Sequence, residues 1–202
     1  MWYSYYGNGY TAQSWPDSYK ENNANNIAYY FQQEGWTLEA ICAMLGNMQA
    51  ESYLNPAQWE HSAPVGSGGY GLVQWTPHTK YTNWATSQGK NWQTDFDCEL
   101  DRIEYELLNG IQWEPSRWHG MTFAEFSQST DSVYTLTEAF LLAYENPRDP
   151  YGSLSTRQAN AAHWYEFFTG SPPTPPTPGP TPGTNNEFKI MFYLKPKWKK
   201  GF

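Results

Sequence analysis

The run from Ser171 to Asn186, Ser-Pro-Pro-Thr-Pro-Pro-Thr-Pro-Gly-Pro-Thr-Pro-Gly-Thr-Asn-Asn, carries seven of the chain's 15 prolines and no charged side chain. Proline fixes φ and lacks a backbone donor, so the stretch reads as a semi-rigid polyproline II linker. At about 3.1 Å per residue, Pro172 to Gly183 would reach roughly 37 Å. The linker divides the 202 residues into a segment 1–170, enough for one globular domain, and a segment 187–202 too short to fold alone. In that last segment Phe188, Ile190, Phe192 and Leu194 alternate like a strand before Lys195-Pro-Lys-Trp-Lys-Lys. It reads as the first strand of a further, truncated module, as a docking strand for a partner, or as a basic solvated tail.

Composition narrows what residues 1–170 can do. Aromatic residues make up 18% of the chain and hydrophobic residues 39%, too much apolar surface for a disordered protein, while two cysteines are too few for a disulfide scaffold. Residues 1–170 hold 19 acidic against 7 basic side chains, and residues 171–202 hold 1 against 5. The main segment therefore repels polyanions, which argues against a nucleic-acid partner. Rings without basic charge suit a neutral, hydroxyl-rich ligand better, although most of them must be core. No stretch is long and apolar enough for a membrane span, and Met-Trp-Tyr-Ser-Tyr-Tyr-Gly lacks the basic and apolar blocks of a secretion signal, so a soluble, leaderless chain is expected.

The pattern before the linker is mainly helical. Asn22 to Gln33 carries Ile27, Tyr30 and Phe31 at helical spacing and stops at Gly35. Thr37 can cap a second helix in which Leu38, Ile41, Cys42, Leu45 and Met48 form one buried face. Further helices are expected over Pro77 to Gln88, capped by Thr76 and closed by Gly89, and over Asp95 to Leu108, with a stripe of Phe96, Leu100, Ile103 and Leu107. Thr122 and Glu125 have capping-box spacing, a long helix is expected over Asp131 to Tyr144, and a last one over Ser155 to Phe168 with a stop near Gly170. The Gly-rich Ser62 to Trp75, with Tyr70-Gly-Leu-Val-Gln-Trp, reads as a small β-hairpin or extended loop.

Glu51 lies on the apolar stripe of the second helix, three residues beyond Met48. A carboxyl projected from the end of a buried face loses hydration, which disfavours its charged form and suits a proton donor. Asp95, Asp97, Glu99, Asp101 and Glu106 have the offsets of a calcium loop, but Leu100 stands where the turn glycine belongs, and first-turn acids explain Asp95 and Asp97. The four histidines show no paired ligand spacing, so no metal and no cofactor is expected. Cys42 and Cys98 read as packing thiols, with a bridge between their helices left open.

Three ordered strings then carry a resemblance: Glu51-Ser52-x-x-Asn55-Pro56, Gly71-Leu72-Val73-Gln74-Trp75 and Ala143-Tyr144-Glu145-Asn146-Pro147. They resemble the signatures of the lysozyme and lytic-transglycosylase superfamily. Within it, the stretch from Ala40 to Pro77 is most similar to tail-associated lysozymes of bacteriophages of Gram-positive bacteria. The likeness covers approximately residues 20–170, and its third string departs from the pattern, with Glu145-Asn-Pro in place of the small residues usual in transglycosylases. It implies a mainly α, lysozyme-like α+β domain with a small β-hairpin over residues 1–170, followed by the linker 171–186 and the short segment 187–202.

The same resemblance implies roles. Glu51 would be the general acid that protonates the glycosidic oxygen. Gln74 would enter the cleft and hydrogen-bond an N-acetyl group or a hydroxyl, and Tyr144 would hold the Glu51 carboxyl. Tyr70 and Trp75 would offer stacking surfaces. Glu60, nine residues beyond Glu51, is the candidate second carboxylate, though Gly66 stands where the related pattern has threonine. Without it, a single-acid mechanism would operate. The substrate implied is the peptidoglycan glycan strand, cleaved between N-acetylmuramic acid and N-acetylglucosamine by a component of the virion at the phage tail tip, with other tail proteins as partners of residues 187–202. A lytic transglycosylase giving 1,6-anhydro products and an inactive wall-binding tail protein remain alternatives. Relatives often carry a metallopeptidase after the linker, whose ligands are not found in residues 187–202.

Overall fold

The computed structural model describes residues 1–7 and 10–174, so most of the linker expected over 171–186 and all of the segment 187–202 lie outside the described residues. These residues form seven α-helices: α1 (Asp17–Gln33), α2 (Leu38–Ser52), α3 (Thr79–Ser87), α4 (Asp97–Asn109), α5 (Phe123–Gln128), α6 (Val133–Phe140) and α7 (Tyr151–Thr169). The fold is mainly helical, as expected. Among the described residues no helix is long and apolar enough to cross a membrane.

Helix α2 is the axis on which the others pack, with α7, α6, α1 and α5 around it. The stripe from Leu38 predicts one buried face, yet every residue from Ala40 to Met48 is buried, including Ala43, Met44, Gly46 and Asn47. A helix apolar on all sides belongs inside the domain. Its start is local chemistry: Thr37 accepts a hydrogen bond from the Ala40 N–H at 3.3 Å. Its contact with α7 depends on Gly46, where a Cβ would stand 2.6 Å from the Ala161 Cβ and 2.6 Å from the Arg157 carbonyl. Only a residue without a side chain lets the two backbones approach that closely.

The helix stops expected at Gly35, Gly89 and Gly170 form, all at positive φ, and α4 ends the same way at Gly110. The starts shift: α1 begins at Asp17 rather than Asn22, α3 at Thr79 after His78 rather than Thr76, and α7 at Tyr151 rather than Ser155. Asp95 precedes α4 and pairs with Lys90 at 3.4 Å, leaving Asp97 and Glu99 as the first-turn acids. The capping box at Thr122 and Glu125 forms. The single helix expected over Asp131 to Tyr144 is instead α6 followed by a π turn, Leu141–Glu145, ended by Asn146 at φ 48°. Such a turn re-aims the side chains after it. Cys42 and Cys98 are free buried thiols, so the bridge left open by the sequence does not form.

In place of a regular hairpin, the described part of Ser62 to Trp75 makes isolated antiparallel bridges, Trp59 with Tyr70 and Tyr70 with Trp75. Tyr70 and Trp75 exchange backbone hydrogen bonds at 3.0 and 3.3 Å across a turn that leaves no room for longer strands. Ser52 ties this loop to α2, its hydroxyl lying 3.0 Å from the Met48 carbonyl and 2.9 Å from the Leu72 carbonyl.

Candidate active site

Between the end of α2, the Gly71–Trp75 loop and the π turn lies a cleft of about 870 Å³, lined among others by Glu51, Glu60, Gln74, Trp75, Tyr144 and Glu145. A side pocket of about 360 Å³ shares Tyr144 and Glu145 with it and extends to Glu114 and Asn146. Two strings of the sequence, separated by about twenty positions, meet here because Ser52 fastens the loop to the helix that carries Glu51.

Glu51 keeps 21% of its side chain exposed, and its Oε1 is held by Nη2 of Arg157. Arg157 is buried on α7 and is fixed from two sides, donating Nη1–H to Asn47 Oδ1 at 3.1 Å and Nε–H to Ser153 Oγ at 3.1 Å. Sequence reading did not find Arg157, since nothing in the pattern of α7 marks one arginine for burial.

Glu60 also lines the cleft. Its Oε1 accepts from Ser62 Oγ at 2.7 Å and its Oε2 from the Gly69 N–H at 2.9 Å, and these two donors hold its carboxyl below the usual carboxylate range. Gln74 turns its amide nitrogen inward, donating to the carbonyls of Gln58 at 3.0 Å and Gly71 at 2.9 Å. Its φ of 50° is a left-handed conformation, stabilised by those two bonds. Its Oε1 lies against Gly69, where a Cβ would stand 3.2 Å from it, and Gln74 lines the cleft.

The rings expected to stack on a ligand are packed instead. Tyr70 is fully buried between Trp59, Tyr81 and Trp92 and does not line the cleft. Trp75 shows only 2% of its surface, stacks on Tyr81 at 4.8 Å and donates Nε1–H to Glu106 Oε1 at 3.0 Å. Tyr144 donates its hydroxyl to Glu106 Oε2 at 2.5 Å, not to Glu51. Glu106 on α4 is thus a buried acceptor for Trp75, Tyr144 and Arg102, whose Nε–H lies 2.9 Å away. Burial raises its carboxyl above the ordinary range, and Tyr144 and Arg102 pull it back.

Glu145 is the other residue that sequence reading passed over, except as a departure from the expected third string. Part of its surface remains exposed, but Oε1 is shut off from water and has no hydrogen-bond partner among the described residues. Burial holds this carboxyl well above the usual carboxylate range, the charge of Glu51 adds to the effect, and Arg157 opposes it. Among the described residues no group of three or more His, Cys, Asp or Glu is arranged to hold a metal ion. The site thus offers carboxyls of unlike environment on one groove, which is equipment for moving protons.

Residues 22–168 match the model of the family described as phage tail lysozyme. The chain is also similar to Morphogenesis protein 1 of Bacillus phage B103, with 44% identity over 149 residues. That alignment covers 73% of this chain and 40% of the relative, so the chain spans well under half of the relative's length. The matched residues run from within α1 to the last turn of α7 and contain every carboxyl of the cleft, and the chain therefore belongs to the phage tail lysozyme family.

Proposed function

We propose that the chain hydrolyses the β-1,4 bond between N-acetylmuramic acid and N-acetylglucosamine in peptidoglycan, as a virion component that opens the cell wall from the phage tail tip. Glu51 gives its proton to the glycosidic oxygen as the bond to the leaving sugar breaks. Glu60, on the same cleft, takes a proton from the water that attacks the anomeric carbon. Gln74 Oε1 accepts from an N-acetyl N–H or a hydroxyl, and Tyr144 and Trp75 brace the site through Glu106 rather than touching the sugar. No step needs a cofactor. Residues 187–202 are the segment proposed to meet other tail proteins.

The observation that carries this reading is the contrast between two carboxyls on one groove. Glu60 is held ionised by two donors, whereas Glu51, held by Arg157 at the end of a buried helix, shares the groove with a second acid, Glu145, whose Oε1 has no partner among the described residues. Zymography on purified cell walls tests it: wild type clears the walls, and Glu51→Gln loses at least about 10²-fold, as expected for a proton donor, while still sedimenting with walls. A wild type that binds walls without clearing them overturns the enzymatic reading in favour of wall binding. Mass spectrometry of the products separates hydrolysis, which leaves reducing sugars, from a transglycosylase, which leaves 1,6-anhydro ends.

A further inference from the structure

The shielded oxygen of Glu145 has no role in the reaction as just described, and it lies where the chain departs from the pattern it resembles. The π turn delivers it: were α6 continuous through Tyr144, residues 144 and 145 would follow the ordinary helical rotation, whereas the wider turn sinks the Tyr144 ring beside Phe140 and brings Glu145 to the cleft. Glu51 from α2 lines the same cleft and is held by Arg157 from α7, Glu106 from α4 accepts from the neighbouring Tyr144, and the charges of all three act on Glu145. Glu106 has its own cation in Arg102, so Glu51 and Glu145 are left with one guanidinium, Arg157, and balance it when they share one proton.

We propose that Glu145 is a positioning residue that stores a proton beside Glu51, so that the two carboxyls bind one proton as a pair and Arg157 neutralises the remaining charge. The inference rests on Glu51 as the donor. Arg157 occupies Glu51 Oε1, and the proton of the pair sits on Glu145, whose Oε1 has no partner among the described residues. When the glycosidic bond breaks, the pair gives up its one proton to the leaving oxygen and both carboxyls are left ionised. Water adds hydroxide to the anomeric carbon and its proton passes to Glu60, after which solvent restores the proton of the pair. Repulsion between the two carboxylates makes that last state costly, which keeps a proton on the pair to higher pH than either carboxyl would hold it alone.

Two measurements test this. Carbon-13 titration of the glutamate carboxyls should place Glu145 well above the ordinary range in the wild type, and in Glu51→Gln its transition should move to lower pH, because the repelling charge is gone and Arg157 is unpaired. A Glu145 that titrates in the ordinary range, or whose curve ignores Glu51→Gln, overturns the pair. This arm does not depend on turnover, so it decides the pair even if the wild type cleaves no walls and the proposed function falls. In the second arm, the alkaline limb of kcat/KM for Glu145→Gln should move to lower pH by about one unit, with Glu145→Asp restoring most of it. A uniform loss of activity with the limb unmoved would mean that Glu145 only packs, and would overturn the proposal.

Discussion

Arg157 reaches from α7 to the carboxyl of Glu51 at the end of α2, and it can do so because Gly46 lets the two helices touch backbone to backbone. The fork is fixed by Asn47 and Ser153 before it meets Glu51, so little side-chain freedom is lost in forming the pair. The central helix contact thus also orients the acid.

Removing Arg157 should therefore cost both stability and activity. Truncating one partner of a fully buried pair costs about 3–5 kcal/mol, and the exposed fifth of Glu51 reduces this to about 2 kcal/mol for Arg157→Met. Urea unfolding at constant m measures it. The double substitution with Glu51→Gln should be less destabilised than the sum of the singles, since no carboxylate is left stranded. Strict additivity would show that the two side chains do not support each other. Arg157→Lys should recover only part of the loss, because a point charge cannot reach Asn47, Ser153 and Glu51 together.

What the sequence reveals of this fold are the signals that local chemistry writes. Thr37, the pair Thr122 and Glu125, and glycines such as Gly35 and Gly89 each mark a helix end through groups a few residues apart, and each does so in the structure. What it hides depends on partners distant in the chain. The Tyr144 hydroxyl, which the resemblance sends to Glu51, meets Glu106 of α4, 38 positions before it in the chain. Tyr70 and Trp75 flank the loop that carries Gln74, and their position along the chain cannot tell a ring that faces a ligand from one that fills the core beneath. Glu99 and Glu106 look like solvent-facing acids of an amphipathic helix, yet both are fully buried.

Glu99 gives the stability of the domain a pH dependence of definite sign. Its Oε2 accepts from the Leu72 N–H at 2.7 Å, Oε1 has no partner among the described residues, and burial raises its carboxyl well above the usual range. Gly71, at φ 86°, makes room for it, since a Cβ there would lie 2.7 Å from Oε2. A folded state that holds a proton more tightly than the unfolded chain is favoured at low pH. This contribution is fully present below the ordinary glutamate value of 4.5 and is lost as pH rises towards the folded value. Unfolding free energies at pH 5 and pH 8 should fall across the interval in the wild type and fall less in Glu99→Gln, which still offers Leu72 an acceptor. An equal slope in both proteins would locate the proton elsewhere.

Glu60 decides whether one acid or two carry the reaction. Ser62 and the Gly69 N–H hold its carboxylate on the cleft surface, where neutralising it leaves no buried charge unpaired, so Glu60→Gln should change stability by no more than about 0.5 kcal/mol. If Glu60 activates the attacking water, the same substitution should lower kcat on purified peptidoglycan by about 10²–10⁴-fold with KM little changed, because a general base is needed in the transition state rather than for binding. Azide, which needs no base, should restore part of the rate and leave a glycosyl azide that mass spectrometry detects. Full activity in Glu60→Gln together with anhydro-sugar products would assign the chemistry to the other carboxyls of the cleft and to the substrate's own hydroxyl, and the hydrolytic mechanism would then be withdrawn.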